Sequence, residues 1–313
     1  MVGSILELTT ITGYYMMPHI TTKQPDRHCT EITNRFYEAA ANRVNKKRHY
    51  LGMSSIGSQC ERSLWYGFRG FTPNPLDGKT QLIFELGDHI EQIQINWLEK
   101  AGYRITNRQD TYSDHNGFFR GHPDGIIHGV TSKPHIYDAK SCNKKALEAI
   151  KKLGMKEAKP IYYAQAQMMM HYAELDRAIY IFTCKDNCEL YAERFYYNKD
   201  EAQSLIDKAK RIITAETAPS KIHEETIDDE LDFTCQWCNY NLICKYPEET
   251  IMSEKSCGTC YYMGWKQNTV QPHCKHPAHA LPIKKWGVCC NDWLYLYHKE
   301  IIGKEKYPEK VKI

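Results

Sequence analysis

The longest regular spacing of apolar positions lies between residues 81 and 100, where Leu82, Ile83, Leu86, Ile90, Ile93, Trp97 and Leu98 keep a helical stripe. It predicts a helix decorated by Glu85, Asp88, His89 and Glu91 and closed by Gly102 as a left-handed cap. Ile32, Phe36, Tyr37, Ala40 and Val44 predict another amphipathic helix over Glu31–Arg48. Its closing Lys46-Lys47-Arg48 either complements the helix dipole or meets a phosphate backbone. Ser54, Ser55 and Ser58 ahead of Leu64-Trp65-Tyr66 predict a helix start, with Cys60 in the first or second turn.

Further along, strand-like segments pass through an Asn116-Gly117 turn into Gly121–Lys140, which reads as a β-hairpin. Its β-branched residues flank a polar turn near Ser132-Lys133-Pro134, and the proline stands at the start of the returning strand. A short helix over Lys144–Lys152 stops at Gly154. A longer one begins near Ile161, its Met168-Met169-Met170 run read as core packing. Arg177–Thr183 and Glu189–Tyr197 form a second hairpin around Asp186-Asn187, followed by a helix over Lys199–Ala215 and an acidic linker over Glu224–Asp232. Residues 1–30 are polar and irregular and are read as an arm.

The chain has 313 residues, 42% of them hydrophobic, enough for a large core. A net charge of +3 means that any basic surface is local. No apolar run reaches the roughly eighteen residues of a membrane helix, and the start lacks the basic segment and cleavage site of a signal peptide. Thirteen cysteines, with Cys-x-x-Cys pairs near the end, suit metal ligation in a reducing cytoplasm better than disulfides.

Candidate chemistry centres on the first hairpin. Asp138 and Lys140 are two apart on one strand and share a face, and Asp124, just ahead of the other strand, can approach it. Two carboxylates and a lysine so placed can hold a hard divalent cation and stabilise charge on a phosphate under attack. Gln165 and Gln167 sit in an otherwise apolar helix, where a buried amide needs partners. Near the end come Cys235, Cys238 and Cys244, then Cys257, Cys260, Cys274, His276, His279, Cys289 and Cys290, a density of soft ligands that signals metal.

In this order, the helix with Glu91, the Gly121-His122-Pro123-Asp124 turn, Asp138-Ala139-Lys140 and the Gln165-Ala166-Gln167 helix resemble the PD-(D/E)xK nucleases of the RecB-like branch. The segment Tyr163–Met168 looks like the matching helix of viral recombination-type alkaline exonucleases. Cys60-Glu61-Arg62-Ser63-Leu64-Trp65-Tyr66, with the later Cys-x2-Cys-x5-Cys, is similar to the iron–sulfur exonucleases of CRISPR adaptation and bacterial double-strand-break repair. The likeness covers roughly residues 50–246.

The resemblance implies an α+β, restriction-endonuclease-like core with a central mixed sheet flanked by helices, over residues 31–250. Glu91 (His89 is its rival), Asp124, Asp138 and the Ala139 carbonyl would hold Mg²⁺ or Mn²⁺. Lys140 would steady negative charge, and Gln165 or Gln167 would orient substrate or lysine. Cys60, Cys235, Cys238 and Cys244 would hold a structural [4Fe–4S] cluster. Residues 251–313 look like a zinc-ribbon-type module using Cys257, Cys260, Cys274 and Cys290, with Cys289, His276 and His279 as alternatives. The implied function is a metal-dependent DNA exonuclease acting on single strands or duplex ends, working beside a recombination or repair partner in a bacterial cell or infected cytoplasm. The rival reading is a non-catalytic DNA-binding or assembly protein that kept the fold.

Overall fold

Strand β6 (His135–Cys142) organises the main sheet. It pairs antiparallel with β5 (Gly125–His128) through the expected hairpin, and parallel with β7 (Arg177–Cys184), Asp138 lying opposite Tyr180. Parallel neighbours need a crossover, supplied by α4 (Lys144–Leu153), α5 (Met155–Ala158) and α6 (Pro160–Tyr172). With β2 (Arg104–Thr106) and β8 (Leu190–Tyr196) added, the order is β2-β5-β6-β7-β8, a mixed sheet. The computed structural model describes residues 29–43, 48–223, 233–245, 255–266, 269–276 and 290–291. The acidic linker and most of the 1–30 arm lie outside these.

Ahead of the sheet come α1 (Thr30–Ala41), β1 (Leu51–Gly52), α2 (Glu61–Arg69) and α3 (Gly78–Lys100). A smaller sheet joins β1 to β4 (Phe119–Gly121) and β4 to β3 (Tyr112–Asp114). The turn between β3 and β4 holds Asn116 at φ 56° and Gly117 at φ 79°, the left-handed backbone that the Asn-Gly pair tolerates. Helix α7 (Lys199–Thr214) follows β8, and α8 (Phe233–Gln236), α9 (Asn241–Lys245) and a hairpin of β9 (Met263–Trp265) with β10 (Pro272–Cys274) complete the described elements. Among the described residues no helix is long and apolar enough to cross a membrane.

The large core packs α2 and α6 with the sheet. Met168, Met169 and Met170 are all fully buried, as the run suggested, and Met169 passes so close to Gly121 that an added Cβ would collide with it. Three expectations fail locally. Helix α1 buries none of its residues, so Ile32, Phe36 and Tyr37 mark an exposed face, and Val44 lies outside the described residues. Helix α2 is capped by Cys60 itself, whose Sγ accepts from Ser63 N at 3.4 Å, so the serines before it belong to turns. Helix α3 buries Gln81, Ile90, Gln94 and Ile95 while Ile83, Leu86, Ile93 and Trp97 stay exposed. Its buried face includes a polar residue because Gln94 is satisfied there: it accepts from Tyr137 Oη and donates to Thr183 Oγ1 and the Ile181 carbonyl.

Candidate active site

Period-two geometry sets Asp138 and Lys140 on one side of β6 and Tyr137 and Ala139 on the other. Asp138 is 1% exposed and ion-pairs with Lys140 Nζ. From α6, Gln165 Nε2 donates to Asp138 Oδ2 at 2.8 Å. The same ammonium lies 5.0 Å from the Tyr162 ring centroid and 5.5 Å from that of Tyr180, a cation–π placement on two sides.

Asp124, in the turn before β5, accepts from Ala139 N at 2.8 Å, which fixes its carboxylate against β6. Glu91 comes from α3. Gln109 Nε2 lies 3.3 Å from Asp124 Oδ1 and 3.4 Å from Glu91 Oε1, tying the two acids together. Gln109 carries no sequence signal: it sits in the β2–β3 loop at φ 56°, a conformation a side-chain-bearing residue adopts at a cost. Of the two candidate glutamines only Gln165 reaches the acids. Gln167 donates to the Tyr196 carbonyl and accepts from Asn198 N, bracing the start of α7 instead. His89 does not line the cleft; Glu91 does.

Burial raises the pKa of Glu91, helped by nearby Asp124. It also raises Asp124 despite Lys140, and pushes Asp138 up to about 7 against the same lysine. Burial alone would lower Lys140, but Asp138 and Asp124 more than offset it and raise its pKa. Glu91, Asp124 and Asp138 offer carboxylate oxygens, the donor type a hard divalent cation takes, but as placed here the three do not form a ready metal-holding group. Glu91, Asp124 and Lys140 open on a cleft of about 630 Å³, lined also by Arg43, Arg48, Lys185, Ile83, Phe84 and Tyr162, while Asp138 stays buried and is not part of its lining.

The cysteines form a second focus. Cys60, Cys244 and Cys235 all lie near enough to Cys238 to add to the burial that raises its thiol pKa. Burial likewise raises Cys244, against Arg62 and Lys221. The Cys235–Cys244 stretch is held to the front of the chain by Asn74, which donates to the Cys238 carbonyl and Asn241 Oδ1, and by Tyr240, whose ring packs 5.9 Å from Tyr66. Four soft donors from two distant segments suit thiolate ligation in kind.

Near the end, Cys257 and Cys260 share one turn, with Cys260 N bonded to the Cys257 carbonyl. Cys274 is on β10 opposite Met263, and His276 lies 4.6 Å from the Tyr262 ring. Cys290 is exposed, and Cys289 and His279 lie outside the described residues. Among the described residues, no three His, Cys, Asp or Glu side chains stand in an arrangement that holds a metal ion.

No family model matches the chain, and no curated protein does. Among solved structures it is similar to SSO0001, at 15% identity, 69% of this chain and 96% of that one, with a TM-score of 0.41. It is similar also to the alkaline exonuclease LHK-Exo from Laribacter hongkongensis, at 14% identity, 57% and 90% coverage and a TM-score of 0.38. A phage-related exonuclease from Haemophilus somnus 129PT matches at 17% identity, 40% and 64% coverage and 0.30. At these scores the likenesses carry no argument about function, which rests on the site.

Proposed function

We propose that the protein is a Mg²⁺- or Mn²⁺-dependent DNA exonuclease. The observation that carries this reading is the meeting of Glu91, Asp124, Asp138 and Lys140 beside a cleft whose rim is cationic. Glu91, Asp124, Asp138 and the Ala139 carbonyl would hold a divalent ion, which would supply Lewis acidity toward the scissile phosphate and its attacking water. The chain's own groups do the rest. Gln165 fixes Asp138, Ala139 N fixes Asp124, and Gln109 spans Asp124 and Glu91. Lys140, kept cationic by its two acids, steadies negative charge as water adds to phosphorus and the bridging oxygen leaves. Arg43, Arg48 and Lys185 line the path of neighbouring phosphates.

Two structural metals belong to the same proposal. Cys60, Cys235, Cys238 and Cys244 are the ligands we assign to a [4Fe–4S] cluster. Cys257, Cys260 and Cys274, with Cys290 or a histidine, are those of a zinc site.

The test is degradation of end-labelled single- and double-stranded DNA across a Mn²⁺ titration, beside DNA binding in Ca²⁺. Lys140→Ala is expected to cut the rate roughly a hundredfold or more while binding persists. Asp124→Ala is expected to be partly rescued by added Mn²⁺, and Lys140→Ala is not. Equal cleavage by wild type and Lys140→Ala would overturn the site. Binding without cleavage under every metal would establish the non-catalytic rival.

A further inference from the structure

Two large apolar side chains stand in the cleft wall without serving a core. Phe84 is 52% exposed and Ile83 is 42% exposed, and neither belongs to either hydrophobic cluster of the molecule. Both line the cleft that holds Glu91, Asp124 and Lys140. A phenylalanine left half in water forgoes hydrophobic stabilisation that burial would supply, so its place beside the acids asks for an occupant.

The geometry says which. Phe84 and Glu91 are seven residues apart, two helical turns, so they share one face of α3 about 10 Å apart along its axis. Asp88 and Gly87 lie between them in the same wall. A Cβ at Gly87 would meet only Ser141 Oγ, at 3.9 Å, so the wall between Phe84 and Glu91 is uncrowded at that point. Around the cleft stand Arg43, Arg48 and Lys185. The cleft therefore offers acids and a lysine at one end, cations at its rim and an aromatic face at the other end. A nucleotide presents the complement: an anionic phosphate and, a base-length away, a flat π-face.

We propose that Phe84, with Ile83 in the same cleft wall, is the stacking platform for an unpaired nucleobase next to a phosphate that lies against Lys140, so that the cleft takes a single-stranded end. The inference rests on the nuclease reading above. Stacking is sequence-tolerant, because every base has a π-face. It also selects against duplex, because a base inside a helix has both faces covered by its neighbours.

The experiment measures binding by fluorescence anisotropy in Ca²⁺, with the full chain and three labelled probes: an oligodeoxythymidylate, an abasic strand of equal length and a blunt duplex. Phe84→Ala is expected to weaken oligothymidylate binding roughly tenfold or more, with abasic-strand binding unchanged and duplex binding changed less. Phe84→Trp is expected to restore the wild-type affinity. Equal losses on the abasic and base-bearing strands, or no loss on either, would overturn the proposal. If wild type degrades DNA while Phe84→Ala binds every probe normally, this inference fails alone. If wild type neither binds nor degrades any probe, the nuclease reading fails and takes this one with it.

Discussion

Lys140 is placed to stay charged. Its ammonium touches Asp138 and faces two tyrosine rings, so it is suited to steadying an anion rather than to removing a proton. Asp138 carries the opposite strain. Without a divalent cation, burial lets the folded protein keep the Asp138 proton up to about pH 7, whereas the unfolded chain releases it near 4. The folded state thus binds more protons across that window, and the stability this group contributes is full below about pH 4 and lost as pH rises toward 7. Asp124 and Glu91, also raised by burial, act in the same direction. The thermal midpoint of cation-free protein is expected to fall between pH 4 and 7.5, and Asp138→Asn to flatten that fall. An unchanged slope in the variant would place the titration elsewhere. The Asp138–Lys140 pair was legible because two residues of one strand share a face whatever the rest of the chain does. Gln109 was not, because its reach to Glu91 and Asp124 depends on a left-handed loop backbone that no spacing encodes.

The first turn of α2 poses a choice that one atom resolves. Cys60 Sγ caps the helix through Ser63 N, and the same sulfur is a proposed iron ligand. Cys60→Ser keeps an oxygen able to cap, an interaction worth about 1 kcal/mol, but removes the thiolate. If Cys60 only caps, the variant keeps its stability and its metal content. If Cys60 ligates, anaerobically purified Cys60→Ser is expected to lose its violet–blue absorbance and most of its iron, read by optical spectroscopy and elemental analysis. Helices were easier to locate than to orient. The 81–100 pattern found α3 and its buried Ile90 but missed Gln94, which is buried by partners on β6 and β7 far away in sequence. The second hairpin and α7 were legible within a few residues because their signals are local; in the structure Asn198 caps α7 by accepting from Asp200 N and Glu201 N.

At the scale of the molecule, the residues read as a C-terminal module share the main core. Trp265 lies 6.3 Å from Phe68 and 5.7 Å from Phe118, ring centroid to centroid, and Cys260 and Met263 join the same cluster. Arg69, fully buried in α2, donates to the carbonyls of Gly258 and Cys260 and stacks on Trp65. Residues after the expected boundary at 251 thus pack into the same core as those before it, a contact that cysteine spacing does not report. Trp265→Ala is expected to lower unfolding stability by about 3 kcal/mol or more, measured by urea denaturation. A loss confined to zinc, with the urea midpoint unchanged, would show the tail to be independent after all.

The reach of Arg69 to Gly258 has a consequence for how the protein is made. Trp65, Tyr66, Phe68 and Phe71 are fully or almost fully buried in the finished molecule, yet the groups that Arg69 grips beside them emerge 189 residues later. At ribosomal speeds of about 5–20 residues per second that interval is roughly ten to forty seconds. During it α2 is a tethered aromatic helix without its far-side cover, and the nascent chain is most exposed to chaperones, proteases and its own neighbours.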